Sequence, residues 1–189
     1  MLKIILTGPE SSGKTTLARQ LATHLNAPLV EEYVRDFFEK KQTSQYKQED
    51  LVQIAIGQMN NELRMMNDES LITHHILPIL ICDTDLLTIK IWSNEVYGNC
   101  SAELTQLIDN QLINCQLAIT SYYFLCSPGS IDWEEDPLRE NPHDRDRLFK
   151  IYENELKFYG KKYSILRGSE NERFDKAVTK INRLLKNPV

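Results

Sequence analysis

Long apolar segments are missing from this 189-residue sequence. The longest uncharged apolar run, Ile76 to Cys82, is far shorter than the ~20 residues that cross a bilayer, and it contains Pro78. The opening residues are apolar for only a few positions before Gly8 and Pro9, too few for the hydrophobic part of a secretory signal. These absences argue against a membrane protein and a secreted one, and we expect a soluble, cytoplasmic protein.

Cysteine pairs at metal or redox spacing are also missing. The four cysteines, Cys82, Cys100, Cys115 and Cys126, include no CxxC pair and no histidine partner at the spacing of a metal site. The pattern disfavours a disulfide framework and a zinc site, and it favours reduced, mostly buried thiols.

Basic residues are fewer than acidic ones. The 22 Lys and Arg against 27 Asp and Glu give a formal charge of -5, whereas a general binder of nucleic acid or acidic membranes needs a basic face. Any anionic ligand must therefore be held by a local site. The hydrophobic content of 41% is ordinary for a globular protein, and the length suits one domain, so we expect a single domain over residues 1–189.

Short apolar runs alternate with longer helical patterns, which is typical of an α/β fold with a parallel sheet covered on both faces. The predicted strands are Leu2 to Thr7, Pro28 to Glu31, Pro78 to Asp83, Leu117 to Leu125 and Tyr163 to Arg167. The predicted helices are Lys14 to Leu25, Gln48 to Met66, Thr84 to Tyr97, Ala102 to Asn110, Asp144 to Tyr159 and Glu172 to Leu185. The sequence has no internal repeat and no Gly/Ser linker that would divide these elements between two domains.

The segment after the first predicted strand is the most informative one. In LTGPESSGKTT, Gly8, Gly13, Lys14 and Thr15 match GxxxxGK[ST] between an apolar strand and an amphipathic helix, which is the context that a P-loop requires. Glycines let such a loop wrap closely, so that its backbone N–H groups point at phosphates beside a helix N-terminus. The lysine adds a charge at the β- and γ-phosphates, and the next hydroxyl binds the Mg²⁺ that bridges them. An ordinary strand–turn–helix corner is the weaker alternative.

We therefore predict a nucleoside triphosphate site, with ATP as phosphoryl donor and Mg²⁺ as the metal. Lys14 is also a candidate catalytic residue. The predicted cofactor-binding residues of this loop are Gly8, Glu10, Ser11, Ser12, Gly13, Lys14, Thr15 and Thr16.

A second candidate site lies at the end of the strand PILICD. An acid at the carboxyl end of a buried strand near a P-loop can hold Mg²⁺ directly or through water. We predict Asp83 as a catalytic residue and, with Thr15, as a metal ligand. Asp85 stands at the start of the next predicted helix, where it is either a site residue or a helix cap.

A third candidate site follows the second predicted strand. Ligands of parallel α/β sheets gather beyond the carboxyl ends of the strands, so the acids and the arginine of EEYVR should lie beside the P-loop. A carboxylate there could accept the proton of an attacking hydroxyl. Two adjacent acids leave the choice of base open, because strand alternation points their side chains to opposite faces. We prefer Glu32 and keep Glu31 as the second choice. A solvated turn is the alternative.

A fourth candidate site is the charged segment over residues 127–147, which we expect to be a lid. Guanidinium groups suit the negative charge that phosphoryl transfer spreads over equatorial oxygens, and a closing loop also excludes water. Arg139 and Arg145 are the candidate catalytic residues, with Arg147 beside them. On composition alone, these arginines could equally neutralise the acids around them, which are Asp132, Glu134, Glu135, Asp136, Asp144 and Asp146.

Five blocks carry a family resemblance: GPESSGKTTLARQLA, EEYVRDF, DLVQIAIGQ, ICDTDLLTIKIWS and WEEDPLRENPHDR. Together they resemble the ribosylnicotinamide kinase domain of NadR-type proteins and its stand-alone P-loop relatives, some of them described only as AAA-like ATPases. The resemblance runs from Leu2 to about Arg173. It implies a nucleoside kinase-like fold with strand order 2-3-1-4-5, a lid, and transfer of the ATP γ-phosphate to the ribose 5'-hydroxyl of nicotinamide riboside.

The resemblance also implies roles for individual residues. It places Asp83 and Asp85 near the metal and the sugar, and Trp133, Arg139 and Arg145 in the lid. The roles of Gln58 and Trp133 rest on the resemblance. Composition alone would make Gln58 a surface polar residue and Trp133 a loop aromatic. Gly168 resembles the adenine-side loop of small-molecule kinases, although an ordinary turn is as good an interpretation. The implied substrate-binding residues are Glu32, Tyr33, Arg35, Gln58, Asp85 and Trp133.

The sequence differs from NadR-type proteins in one respect. Its first strand starts at residue 2 and it has no HxGH-like signature, so we expect neither dinucleotide synthesis nor operator binding. We therefore expect a kinase with a small nucleoside acceptor, and no nucleic-acid or membrane partner. A nucleotide-dependent regulatory ATPase and a kinase for another nucleoside or nucleotide are the alternatives. A homo-oligomer whose neighbouring subunit donates an arginine is also compatible with the sequence.

Overall fold

Five parallel strands form one sheet in the order β2-β3-β1-β4-β5. The computed structural model describes residues 1–43, 45–67, 79–113, 120–135 and 143–186. The strands are β1 (Leu2–Thr7), β2 (Leu29–Val30), β3 (Ile79–Asp83), β4 (Thr120–Cys126) and β5 (Tyr163–Leu166). The strand order and the parallel pairing confirm the predicted fold class.

Seven α-helices are present in the described residues, together with a short 3₁₀ turn at Pro128–Ser130. The helices are α1 (Lys14–Leu25), α2 (Tyr33–Lys41), α3 (Gln48–Asn67), α4 (Leu86–Tyr97), α5 (Ala102–Leu112), α6 (Arg145–Phe158) and α7 (Glu170–Lys186). None of these seven helices has the length and apolar character needed to cross a membrane.

The central strand β1 contributes to two hydrophobic cores. Successive residues of a strand point to opposite faces of a sheet, so Leu2, Ile4 and Leu6 pack with α1 and α7, while Ile5 packs with α2 to α6. All six residues of β1 are buried, which is the pattern of a central strand in a parallel sheet. Helices therefore cover both faces of the sheet, as the sequence predicts.

The carboxyl ends of the central strands meet at one edge of the sheet. In the β1–β3 pairing Leu6 lies opposite Asp83, and in the β1–β4 pairing Thr7 lies opposite Leu125. The loop that follows β1 therefore begins beside Asp83 and beside the end of β4. Ligands of parallel sheets bind at this edge.

Most predicted elements are present, with small differences at their ends. β1 and α1 have the predicted bounds, whereas β2 is two residues long and α7 begins at Glu170. The predicted strand over residues 117–125 is observed as β4 from Thr120, and residues 117–119 lie outside the described residues. Helix α4 begins at Leu86 rather than Thr84, because the Asp85 side chain accepts a hydrogen bond from the Leu87 backbone N–H and caps the helix.

The prediction missed one helix, α2. The sequence analysis treated its first residues only as a charged cluster after a strand. Val34 and Phe38 are four residues apart, the spacing of one helix face, and both are buried. With two buried residues in nine, α2 is too short for its periodicity to be recognised beside so many charges.

Candidate nucleotide and acceptor site

The loop between β1 and α1 has the backbone of a phosphate-binding loop. Gly8 has a φ of 135°, and a Cβ atom added there would lie 2.6 Å from the carbonyl oxygen of Cys126. Gly13 has a φ of 76° and immediately precedes α1, which has no side-chain cap at its N-terminus. The first N–H groups of α1 are therefore available to an anion.

Two side chains of this loop bind one of its own carbonyl groups. The Ser12 hydroxyl and the Lys14 ammonium both donate to the Pro9 carbonyl oxygen, each at 2.7 Å. The first bond is buried and holds the loop closed, whereas Lys14 is half-buried and lines a cleft. A phosphate group in this cleft would be a stronger acceptor for Lys14 than a neutral carbonyl.

Asp83 and Thr15 form a candidate metal site. The Thr15 hydroxyl lies beside the Asp83 carboxylate, whose Oδ1 atom is buried without a hydrogen-bond partner among the described residues. Burial raises the pKa of Asp83, while Thr15 and the nearby cations Lys14, Arg19 and Arg35 act in the opposite direction. A hydroxyl and a carboxylate with a free oxygen fit the oxygen ligands that Mg²⁺ prefers.

Glu31 and Glu32 have different environments. Glu31 pairs with Arg19 at 2.8 Å at the surface. Glu32 is half-buried, precedes the first residue of α2 and lines the cleft together with Arg35. Of the two candidate bases, only Glu32 is a lining residue of the cleft.

The cleft itself has a volume of about 1160 Å³. Side chains from α4 and α6 complete it: Thr88, Trp92, Leu148 and Tyr152 are among its lining residues. Burial raises the pKa of Tyr152, and the nearby carboxylates of Glu32 and Glu10 raise it further, so the phenol stays protonated. The P-loop residues that line the cleft are Gly8, Pro9, Glu10, Ser11, Ser12, Gly13, Lys14, Thr15 and Thr16.

Gln58, Tyr33 and Asp85, which the resemblance implies as substrate-binding residues, are not among the lining residues of the cleft. Gln58 is buried in α3, and its Oε1 atom accepts a hydrogen bond of 2.9 Å from the Tyr33 N–H at the start of α2. The Tyr33 ring packs against Gly57, where an added Cβ atom would lie 2.0 Å from it. Asp85 is buried, caps α4 and accepts a 2.5 Å hydrogen bond from the Tyr123 hydroxyl. The helix-cap alternative for Asp85 is therefore present.

The described part of segment 127–147 lies against the P-loop. The Ser11 hydroxyl makes hydrogen bonds with the backbone of Glu134, at 3.2 and 3.3 Å. Arg145 donates from Nη1 to the carbonyl oxygens of Ser11 and Ile131, both at 2.9 Å, and its guanidinium lies 5.9 Å from the centre of the Trp133 ring. Both Arg145 and Trp133 thus lie beside the cleft without being among its lining residues.

The segment 127–147 contains two further arginines, Arg139 and Arg147. Arg147 lines the cleft and forms ion pairs with Glu95 and Asp144, so it neutralises acids as one alternative states. Arg139 lies outside the described residues. Gly168 follows β5 with a φ of 108°, as a turn glycine does, and the next two residues, Ser169 and Glu170, line the cleft.

Sequence reasoning missed two groups of residues at this site. Thr88, Trp92 and Tyr152 reach the cleft from α4 and α6, and a helical pattern alone does not distinguish a cleft-facing residue from a core residue. Arg173 was also missed. It is buried in α7 and donates to backbone carbonyls of three loops, and its only sequence signal is an arginine on the apolar face of an amphipathic helix.

Comparison with known proteins identifies the class of protein that this fold and site define. Residues 3–173 match the profile of a family described as an AAA domain, and the chain belongs to that family. No curated protein matches the sequence significantly.

Several solved structures have a fold similar to that of this chain. NadR in complex with NAD and AMP-PNP is 20% identical, with a TM-score of 0.70 over 97% of this chain and 49% of that one. NadR in complex with NR is 18% identical, with a TM-score of 0.70 over 97% of this chain and 51% of that one. Thymidylate kinase from Ehrlichia chaffeensis is 17% identical, with a TM-score of 0.60 over 96% of this chain and 98% of that one.

These matches concern the fold. This chain spans about half the length of the two NadR structures and nearly the whole length of thymidylate kinase. At identities near 20% the likeness shows a P-loop fold of the nucleoside and nucleotide kinase type, and it confirms the resemblance to NadR-type proteins at that level.

Proposed function

We propose that this protein is an ATP-dependent small-molecule kinase that phosphorylates the 5'-hydroxyl of a nucleoside. Nicotinamide riboside is the preferred acceptor, and nicotinamide mononucleotide is the product. The observation that supports this proposal most is the cleft that joins the P-loop to Glu32, α4 and α6. Its volume of about 1160 Å³ exceeds the ~300–1000 Å³ typical of a single small-molecule site, so it has room for donor and acceptor together.

The donor binds at the P-loop. The triphosphate takes hydrogen bonds from the loop amides and the first amides of α1, and Lys14 leaves the Pro9 carbonyl for the β- and γ-phosphate oxygens. Thr15 and Asp83 would hold Mg²⁺, which neutralises the phosphate charge and orients the γ-phosphoryl group. The backbone N–H groups of loop residues Glu10, Ser11, Ser12, Gly13 and Thr16 belong to the same phosphate site.

The acceptor binds between Glu32 and the side chains of α4 and α6. The 5'-oxygen of the acceptor forms a bond to the γ-phosphorus while Glu32 takes the proton of that hydroxyl. The bond between the γ-phosphorus and the oxygen that leaves with ADP breaks. The Thr88 hydroxyl is buried beside the Tyr152 phenol, and both residues line the cleft, so in this proposal they bind a ribose hydroxyl. Arg35 also lines the cleft.

The charge and the aromatic lining suit nicotinamide riboside. Its pyridinium ring is planar and positively charged, and aromatic faces and carboxylates both attract such a cation. Trp92 and Tyr152 supply aromatic rings, and Glu10 and Glu32 supply carboxylates in the same cleft. The fold that this chain shares with NadR in complex with NR agrees with this choice.

The segment 127–147 acts as the lid in this proposal. Arg145 binds the P-loop carbonyl of Ser11, so it is close enough to exchange that carbonyl for developing phosphate charge when the lid closes. Arg139 has the same role by resemblance. Gly168 and the two lining residues after it, Ser169 and Glu170, form the adenine side of the site.

The test is a phosphorylation assay with purified protein and Mg-ATP. The acceptors are nicotinamide riboside, adenosine, deoxyadenosine, thymidine and thymidine monophosphate, with ADP release and the mass of the product as readouts. We expect a phosphorylated product with nicotinamide riboside first, and none with the Lys14→Ala protein. ADP release that no acceptor increases would exclude the kinase and favour the regulatory ATPase.

A further inference from the structure

Arg173 connects three loops that meet at the carboxyl edge of the sheet. From α7, its Nη1 atom donates to the Ser12 carbonyl oxygen at 2.8 Å, Nη2 to Ser127 at 2.6 Å and Nε to Gly168 at 2.7 Å. The first carbonyl belongs to the P-loop, the second follows β4 and the third follows β5. Three directional bonds from one planar group fix these loops relative to one another.

The Arg173 guanidinium is buried, and the exposed carboxylate of Glu170 acts on its charge from the same helix. Only 3% of the residue is exposed, and it forms no ion pair with any of the residues that the structure describes. Burying an unpaired charge is costly in free energy, and backbone carbonyls compensate it only in part. No neutral side chain offers three N–H donors in this planar arrangement, so connecting the three loops in this way requires a buried charge.

The buried charge also lies close to the phosphate-binding loop. The Nη1 atom lies within 3.9 Å of where a Gly13 side chain would begin, directly behind the loop that would cradle the phosphates. Gly168 precedes Ser169 and Glu170, which line the same cleft as the P-loop. One guanidinium therefore connects the phosphate side of the cleft with a second loop that lines it.

We propose that Arg173 is a positioning residue for the nucleotide. It holds the P-loop in register with the loop after β5, and its charge strengthens phosphate binding from behind the loop without contacting the nucleotide. This inference rests on nucleotide binding by the P-loop and not on the identity of the acceptor, so failure of the kinase proposal leaves it intact.

The experiment compares the affinity for Mg-ADP and for tripolyphosphate in the wild type and in Arg173→Met, Arg173→Lys and Lys176→Met. Lys176 is the matched control, because this exposed α7 residue also donates to a carbonyl of the loop after β5, that of Arg167 at 2.9 Å. Calorimetry gives the dissociation constants, and circular dichroism gives the folded fraction.

We expect the dissociation constant of Mg-ADP to rise by about tenfold or more in Arg173→Met, as for loss of hydrogen bonds to a charged group. Arg173→Lys keeps the charge that strengthens phosphate binding but cannot hold the P-loop and the loop after β5 in register. Its dissociation constant should therefore rise less for tripolyphosphate, which has no adenine, than for ADP. Lys176→Met should bind both ligands as the wild type does.

A chemical rescue separates charge from packing. In Arg173→Ala, millimolar guanidinium should restore part of the ADP affinity, whereas urea, which is neutral and similar in shape, should not. The proposal is overturned if the folded Arg173 variants bind ADP as the wild type does, or if urea rescues as well as guanidinium. It is also overturned if neither Arg173→Lys nor Arg173→Met folds, since Arg173 is then a structural residue only.

Discussion

Glu31 and Glu32 are neighbours in the sequence, yet only the second faces the cleft. Glu31 pairs with Arg19, and the two side chains are 63% and 61% exposed. Glu32 lines the cleft and lies close enough to Tyr152 to raise the pKa of that phenol. The turn from β2 into α2 separates the two carboxylates, since Glu32 adopts an extended backbone directly before the helix.

This difference predicts unequal effects of two matched substitutions. Glu32→Gln should lower kcat by about 10²- to 10⁴-fold, the contribution of a general base, while the dissociation constant of Mg-ADP changes little. Glu31→Gln should leave kcat within about twofold, because it removes only an exposed ion pair. Steady-state kinetics and ADP titration measure both. The reverse order of effects would assign the base to Glu31.

Lys14→Ala should abolish most of the turnover and leave the fold intact. Within the described part of the chain, the Lys14 side chain donates only to the Pro9 carbonyl, a bond that stabilises the loop little, whereas it would supply a charge to the phosphates. We expect kcat/KM for ATP to fall by at least about 100-fold. Loss of the native far-ultraviolet circular dichroism spectrum in this variant would show that Lys14 is needed for folding instead.

Features that depend on one short stretch of sequence could be predicted. The P-loop could be found because its spacing, its glycines and its position between β1 and α1 all follow from one short segment. Asp83 could be found as the last residue of a buried strand. The contacts of Gln58, Tyr33 and Asp85 could not be predicted, because their hydrogen-bond partners and packing depend on how α2, α3, α4 and β4 come together.

Asp83→Asn should weaken the Mg²⁺ dependence of nucleotide binding. The variant removes the carboxylate charge next to Thr15, so we expect the Mg²⁺ concentration for half-maximal binding to rise by about tenfold or more. Asp85→Asn is the matched control, two residues further on. It keeps a capping oxygen but is a weaker acceptor for the buried Tyr123 hydroxyl, so it should lower the free energy of unfolding by about 1–2 kcal/mol and leave the Mg²⁺ dependence unchanged.

Gly57→Ala should destabilise the contact between α2 and α3. The new Cβ atom would lie 2.0 Å from the Tyr33 ring, so the ring or the helix must move, at a cost of about 1–3 kcal/mol in the free energy of unfolding. The shift also displaces Glu32, so KM for the acceptor should rise more than KM for ATP. Gly129→Ala is the control, because its Cβ would meet only the Ser127 hydroxyl at 3.9 Å. Equal stability of the two variants would contradict this packing.

Lys3 and Glu62 form a buried ion pair between β1 and α3, and the Gln111 amide donates to the same carboxylate at 2.9 Å. The two side chains are only 9% and 3% exposed. Burial alone would lower the pKa of Lys3, but Cys82, Glu62 and Asp85 raise it above its ordinary value, so the amine stays charged. Removing the carboxylate therefore leaves a buried positive charge with its main partner lost.

Glu62→Leu should lower the free energy of unfolding by about 3–5 kcal/mol, as measured by urea denaturation. The double variant Lys3→Met/Glu62→Leu should recover much of that loss, because it replaces both charges with apolar groups of similar size. Glu31→Ala, which breaks an exposed pair, should cost no more than about 1 kcal/mol. A double variant less stable than Glu62→Leu would mean that the ion pair stabilises the fold beyond what apolar packing can replace.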